Sequence, residues 1–155
     1  MLENLAIIFG VFLIMEGVTW CTHKYVMHGF LWILHEDHHD HRLHESWWEK
    51  NDAFFIIFAV PSMILILLGT VFSVPYCWQI GAGITLYGLA YFLVHDVFIH
   101  QRLKIFRNSE SAYFRGLRRA HKMHHKHLGK EEGECFGMLF VPFKYFRREL
   151  EAKRS

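Results

Sequence analysis

Residues 53–74 read AFFIIFAVPSMILILLGTVFSV and residues 77–94 read CWQIGAGITLYGLAYFLV, and neither stretch carries a charge. A hydrocarbon core of ~30 Å is crossed by about 20 helical residues, so both approach or exceed the length of a span. A helix apolar on every face has no wet side to show a soluble environment. A third stretch, Leu5–Trp20, is apolar apart from Glu16, Gly10, Gly17 and Thr19. The pattern predicts an all-α integral membrane protein with about three transmembrane helices, the last two forming a hairpin around Pro75. At 155 residues the length allows one domain. Residues 1–150 are expected to form that single membrane-embedded domain, and 151–155 a short polar tail.

Orientation follows from the basic residues. All 17 Lys and Arg lie in Lys24–Lys50 or Arg102–Arg154, and Ser73–Trp78 has none. By the positive-inside rule, the Lys/Arg-bearing segments and the C-terminus are cytoplasmic. Phe136–Phe146 is apolar but too short to span. With Pro142, Lys144, Arg147 and Arg148 it reads as a fourth, interfacial or re-entrant piece. Leu5–Trp20 is expected to be a retained span, because Glu3 is the wrong charge for the basic start of a signal peptide. Cys21, Cys77 and Cys135 are odd in number and far apart, which implies no disulfide framework. The net charge of +2 gives nucleic-acid binding no support.

Ten of the thirteen histidines fall into two copies of one arrangement. His23 and His28 are followed by His35, His38 and His39; His95 and His100 are followed by His121, His124 and His125. On a helix, offsets of three and four put each triplet on one face. The pairs are five apart, about 140° around an α-helix. They are therefore expected to flank a site or reach neighbouring metals rather than chelate one ion together. Both pairs begin where an apolar span ends, so the membrane helices should run on past the membrane and carry the ligands.

Ten imidazoles exceed what a four-ligand structural zinc site needs. Imidazole suits zinc, copper, nickel and iron, and the sequence alone does not choose among them. Neutral ligands leave two divalent ions with most of their charge, which suits dioxygen chemistry. Two irons with about five histidines each is the preferred physical reading. The plainer alternative, a pH-sensing or adventitious cluster, does not call for the same spacing twice. His41, His44 and His127 lie outside the pattern and read as interfacial polar residues.

The segments HKYVMHG, HEDHHD, GAGITLYGLAYFLVHDVFIHQR and RRAHKMHHKHLGKEEG closely resemble the bacterial-type non-haem di-iron β-carotene hydroxylases of the fatty acid hydroxylase superfamily. The likeness runs from about Glu16 to Pro142. It implies that His23, His28, His35, His38, His39, His95, His100, His121, His124 and His125 hold two non-haem irons. It also implies hydroxylation with O2 at carbon 3 of β-ionone rings, taking β-carotene through β-cryptoxanthin to zeaxanthin. Electrons would come from a ferredoxin-type donor, since the chain has no flavin, haem or nicotinamide motif. His41–Trp48 and Glu134–Cys135 depart from the family pattern and are expected to touch no ligand.

Two alternatives stand beside this reading. A fatty acid or sterol hydroxylase or desaturase shares the histidine pattern but not the carotenoid-type flanks. A non-catalytic metal or haem protein would place its histidines inside the spans.

Metal-bound histidines usually donate their second N–H to a carboxylate or carbonyl. Asp96, Asp40 and Asp52 are the candidates for this. Glu16, about two helical turns before His23, is either functional or a hydrogen-bonded packing group. Gly81, Gly83 and Gly88 allow close helix approach or leave a groove for a polyene. Tyr87, Tyr91 and Phe92 could line a channel toward His95. Arg115, Arg118, Arg119, Lys122 and Lys126 suit lipid phosphates or an acidic electron donor.

Overall fold

The structure is a computed structural model, and it describes residues 1–43, 46–105 and 108–152. It is all helical, with no strand among the described residues. Helix α1 (Leu2–Cys21) continues without a break into a π-helical segment, Thr22–Phe30. After a short helix α2 (Glu36–His39), α3 (Ala53–Thr70) and α4 (Cys77–Tyr91) form the expected hairpin. Helix α4 likewise runs into a π-helical segment, Phe92–Ile99. Helices α5 (Ala112–His124) and α6 (Phe143–Ala152) follow.

Three helices, Leu2–Phe30 (kinked at Gly29), Lys50–Thr70 and Cys77–Ile99, are long and apolar enough to cross a membrane. Helix α4 lies between the other two. Small residues set the spacing, as is usual where lipid supplies no hydrophobic drive between helices. A Cβ on Gly83 would come within 2.8 Å of the Ile8 carbonyl of α1, and one on Gly81 within 2.7 Å of the Ser62 carbonyl of α3. Polar groups inside the bundle pair with one another, although Gln79 Oε1 is left without a hydrogen-bond partner among the described residues. Ser62 Oγ donates to the Gly81 carbonyl at 2.8 Å, and Gln79 Nε2 donates to Asn4 Oδ1 at 3.1 Å. The outer faces are apolar, with Phe9, Leu13, Ile56 and Ile64 exposed, as lipid contact requires.

Phe136–Phe146 does not form one helix. Residues up to Pro142 are irregular, and the chain turns helical only at Phe143. The irregular part folds back on α1, where Glu16 Oε1 accepts the N–H groups of Met138, Leu139 and Phe140, each at 2.9 Å. Helix α6 then packs on α5, its Glu149 meeting Arg119 at 2.6 Å and Arg115 at 3.0 Å. That fold-back brings the C-terminal third of the chain onto the histidines.

Candidate metal centre

The pairs do not diverge by 140°, because both spans change winding before the pairs begin. His100 N–H donates to the carbonyl of His95 at 2.8 Å, and Leu31 N–H to that of Val26 at 3.0 Å. These are i→i+5 bonds, and the wider turn they close returns the fifth residue to the same face. The rings of His23 and His28 lie 5.2 Å apart and those of His95 and His100 4.5 Å apart, centroid to centroid. Each pair therefore serves one site, contrary to the α-helical expectation.

Two ligand groups result. His23, His28, His35, His39 and His124 present nitrogens within 4.8 Å of one another, and so do His38, His95, His100 and His121. His125 joins the second group, with its Nε2 2.8 Å from that of His121. Each half of the chain supplies four histidines to its own group and lends one to the other: His38 crosses one way and His124 the other. The groups adjoin, since the rings of His39 and His125 stack at 4.6 Å. The triplets achieve this from different scaffolds. His121 and His124 ride on α5 with His125 at its end, whereas His35 only precedes the four-residue α2.

Inward-facing Nε2 atoms crowd together: His23 with His35 at 3.1 Å, His28 with His124 at 3.3 Å, and His38 with His95 at 3.1 Å. The opposite nitrogens are tied to oxygens that can only accept, so the proton sits on Nδ1. His23 donates to the Phe136 carbonyl at 3.0 Å, His28 to Lys130 at 3.0 Å, His39 to His127 at 2.9 Å and His124 to Glu134 at 2.8 Å. His35 donates to Asn51 Oδ1 at 2.7 Å, His38 to Glu49 Oε2 at 2.6 Å and His95 to Asp96 Oδ2 at 3.2 Å. Each Nε2 is left with a bare lone pair directed inward.

Burial first, then repulsion among neighbouring imidazoles, holds His35, His38, His121 and His125 well below the ordinary histidine pKa. Burial lowers His39 to about 4 and His124 to about 3. His39 Nε2 is buried without a hydrogen-bond partner. Neutral imidazoles, lone pairs converging and one of them orphaned, fit bound metal cations.

Among the predicted supporting carboxylates, Asp96 meets His95 directly. Asp52 instead holds the guanidinium of Arg102 at 2.7 Å, and Asp40 is engaged by Arg42 at 2.6 Å. Glu49, Asn51 and Arg102 emerge as supports that spacing alone did not single out, although all three lie at span ends. Glu134, a position where the chain departs from the family pattern, does touch a ligand, but through its carbonyl, which any residue supplies. His127 likewise acts through its main chain, and His44 lies outside the described residues.

A cavity of about 380 Å³ opens between α1, α3 and α4 beneath the histidines. Its wall is mostly apolar, with Met15, Met27, Phe54, Phe58, Tyr87 and Tyr91 prominent. Gly88 lines it, whereas Gly81 and Gly83 face helix contacts and Phe92 packs near Phe55, 6.3 Å between ring centroids. Tyr91 lies with its ring 4.8 Å from that of His95, and Asn51, which holds His35, also reaches the wall. The cavity thus abuts both ligand groups.

The fatty acid hydroxylase family model matches residues 8–146. A β-carotene hydroxylase of Pantoea ananas is 42% identical over 139 residues, covering 90% of this chain and 78% of that protein. One from Paracoccus sp. (strain N81106 / MBIC 01143) is 35% identical, covering 91% and 86%. The chloroplastic β-carotene hydroxylase 1 of Capsicum annuum is 36% identical, covering 88% of this chain but 43% of its own length. No solved structure matches the chain.

Proposed function

The chain belongs to the fatty acid hydroxylase family, and from that premise we propose that it is a β-carotene 3-hydroxylase that converts β-carotene through β-cryptoxanthin to zeaxanthin. The observation that carries this reading is the apolar cavity, whose wall shares Tyr91 and Asn51 with the surroundings of the two ligand groups. A hydrocarbon ring seated there lies beside the histidines with little but carbon around it.

Ten imidazoles would hold two irons, which when bound supply the oxidising power to insert one atom of O2 into an unactivated ring C–H bond. The protein's own part is positional. Phe54, Phe58, Met15 and Met27 exclude water and fix the ring, so that one carbon and not its neighbours faces the metals. The Nδ1 acceptors keep seven of the ten imidazoles in a single orientation. Substrate enters sideways from the bilayer between the helices.

Electrons would arrive from outside, from a ferredoxin-type donor, and the basic residues of α5 suit an acidic partner. The likeness to bacterial β-carotene hydroxylases suits the bacterial inner membrane, and the distribution of Lys and Arg suits histidines and C-terminus on the cytoplasmic side.

The test is pigment analysis by HPLC with mass detection, in cells accumulating β-carotene and expressing this chain under 18O2. Expected products are β-cryptoxanthin and zeaxanthin carrying 18O. Unchanged β-carotene beside inserted, iron-loaded protein would overturn the reading and move fatty acid or sterol substrates to first place.

A further inference from the structure

The two ligand groups differ in what stands behind them. In the group of His23, His28, His35, His39 and His124, every Nδ1–H goes to a neutral oxygen: four main-chain carbonyls and the amide of Asn51. In the other group, His38 and His95 donate instead to the carboxylates of Glu49 and Asp96. The Arg102 guanidinium ties those carboxylates together, 3.4 Å from Glu49 and 3.2 Å from Asp96, with Asp52 at 2.7 Å. The indole of Trp47 covers it at 5.2 Å.

All four charged residues of this cluster are largely shielded from water, with side-chain exposures of 3–14%. One cation faces three carboxylates there, so negative charge is in excess where screening is weak. A cation across the His38 and His95 rings offsets that excess. A carboxylate acceptor also draws the Nδ1 proton harder than a carbonyl does, which makes Nε2 a stronger donor.

We infer that the two metal positions are unequal by construction: the one at His38, His95, His100, His121 and His125 is carboxylate-backed and holds its iron more tightly, and Glu49, Asp96 and Arg102 are the positioning residues that make it so. The inference rests on the reading that the ten histidines hold two irons. The neutral-backed position, where Asn51 holds His35 through its amide oxygen, releases its ion more readily. Replacing a supporting carboxylate should weaken only the tighter position, by roughly ten- to a hundredfold.

The experiment loads the purified full-length protein in detergent with 57Fe(II) without oxygen. Mössbauer spectra are recorded, and iron release to a ferrous chelator is followed. The wild type should show two distinct doublets of equal area and release its irons in two phases. Glu49→Gln should shift one doublet and speed the slow phase alone, while Asn51→Ala should act on the fast phase. Glu49→Asp should restore part of the slow phase. Where Glu49→Gln does not accumulate, Asp96→Asn makes the same test through His95. One doublet and a single release phase in the wild type, or both phases responding equally to Glu49→Gln, would overturn the inference. Fewer than two irons per wild-type chain would overturn the ten-histidine reading beneath it.

Discussion

The Tyr87 hydroxyl of α4 donates to Glu16 Oε2 of α1 at 2.6 Å, while the other oxygen of that carboxylate gathers three consecutive N–H groups from residues 138–140. One side chain thereby joins two spans to the returning loop, which also supplies the Phe136 carbonyl to His23.

Glu16→Ala should therefore cost both stability and metal. A buried N–H group left unpaired costs about 1–3 kcal/mol. The Met138 N–H is buried and those of Leu139 and Phe140 are partly so, so a loss of at least ~1 kcal/mol is expected. Glu16→Gln keeps an acceptor for the loop and should lose less. Thermal unfolding in detergent, with iron content measured in parallel, checks both. A Tm for Glu16→Ala equal to the wild type would contradict the pinning role.

The glycines of α4 should separate into two kinds. Gly81→Ala forces a Cβ to within 2.7 Å of Ser62 and Ile66, and overpacking of that sort costs about 1–3 kcal/mol. A Cβ at Gly88 meets nothing within 4 Å, but the residue lines the cavity. Gly88→Leu should fold normally and lose hydroxylation by filling the space meant for substrate. Thermal melts beside pigment assays distinguish the two outcomes.

Histidine substitutions should divide just as sharply. His28→Ala or His125→Ala should lower hydroxylation by more than about a hundredfold, since supporting residues alone account for ~10–100-fold. His127→Ala should leave it within about threefold, because His39 needs only the carbonyl of residue 127. Product yield normalised to membrane-inserted protein reads this out.

Acid should destabilise the metal-free protein. His39 and His124 titrate at about 4 and about 3 when folded, against about 6.5 for an unperturbed histidine. Below pH 6.5 the unfolded chain binds protons that the folded one refuses, so stability falls as pH drops toward 4 and is fully kept above 6.5. Melting temperatures of the metal-free protein across pH 4–8 should trace that slope. A flat profile would contradict it.

The spans and the histidine repeat were legible because composition and spacing are properties of the chain itself. The inward turn of His28 and His100 was not. An offset of five suggests divergence unless the backbone adopts π winding, and no residue type announces that. Asp96 could be anticipated from its place beside His95. The acceptors for His23, His28, His39 and His124 are carbonyls, placed by the path of residues 127–136 and invisible to any reading of side chains. Glu49 and Arg102 are 53 positions apart, and only the meeting of two span ends reveals them as one cluster.

The exchange of His38 and His124 between the ligand groups bears on how the protein is made. Neither group is complete within one half of the chain, so a ribosome that has delivered only the first two spans has built no finished metal position. On the proposed two-iron reading, both positions are complete only once α5 has emerged and docked. If two irons bind as proposed, full loading of both positions becomes a late event in biogenesis, one that a chain truncated before α5 should not reach.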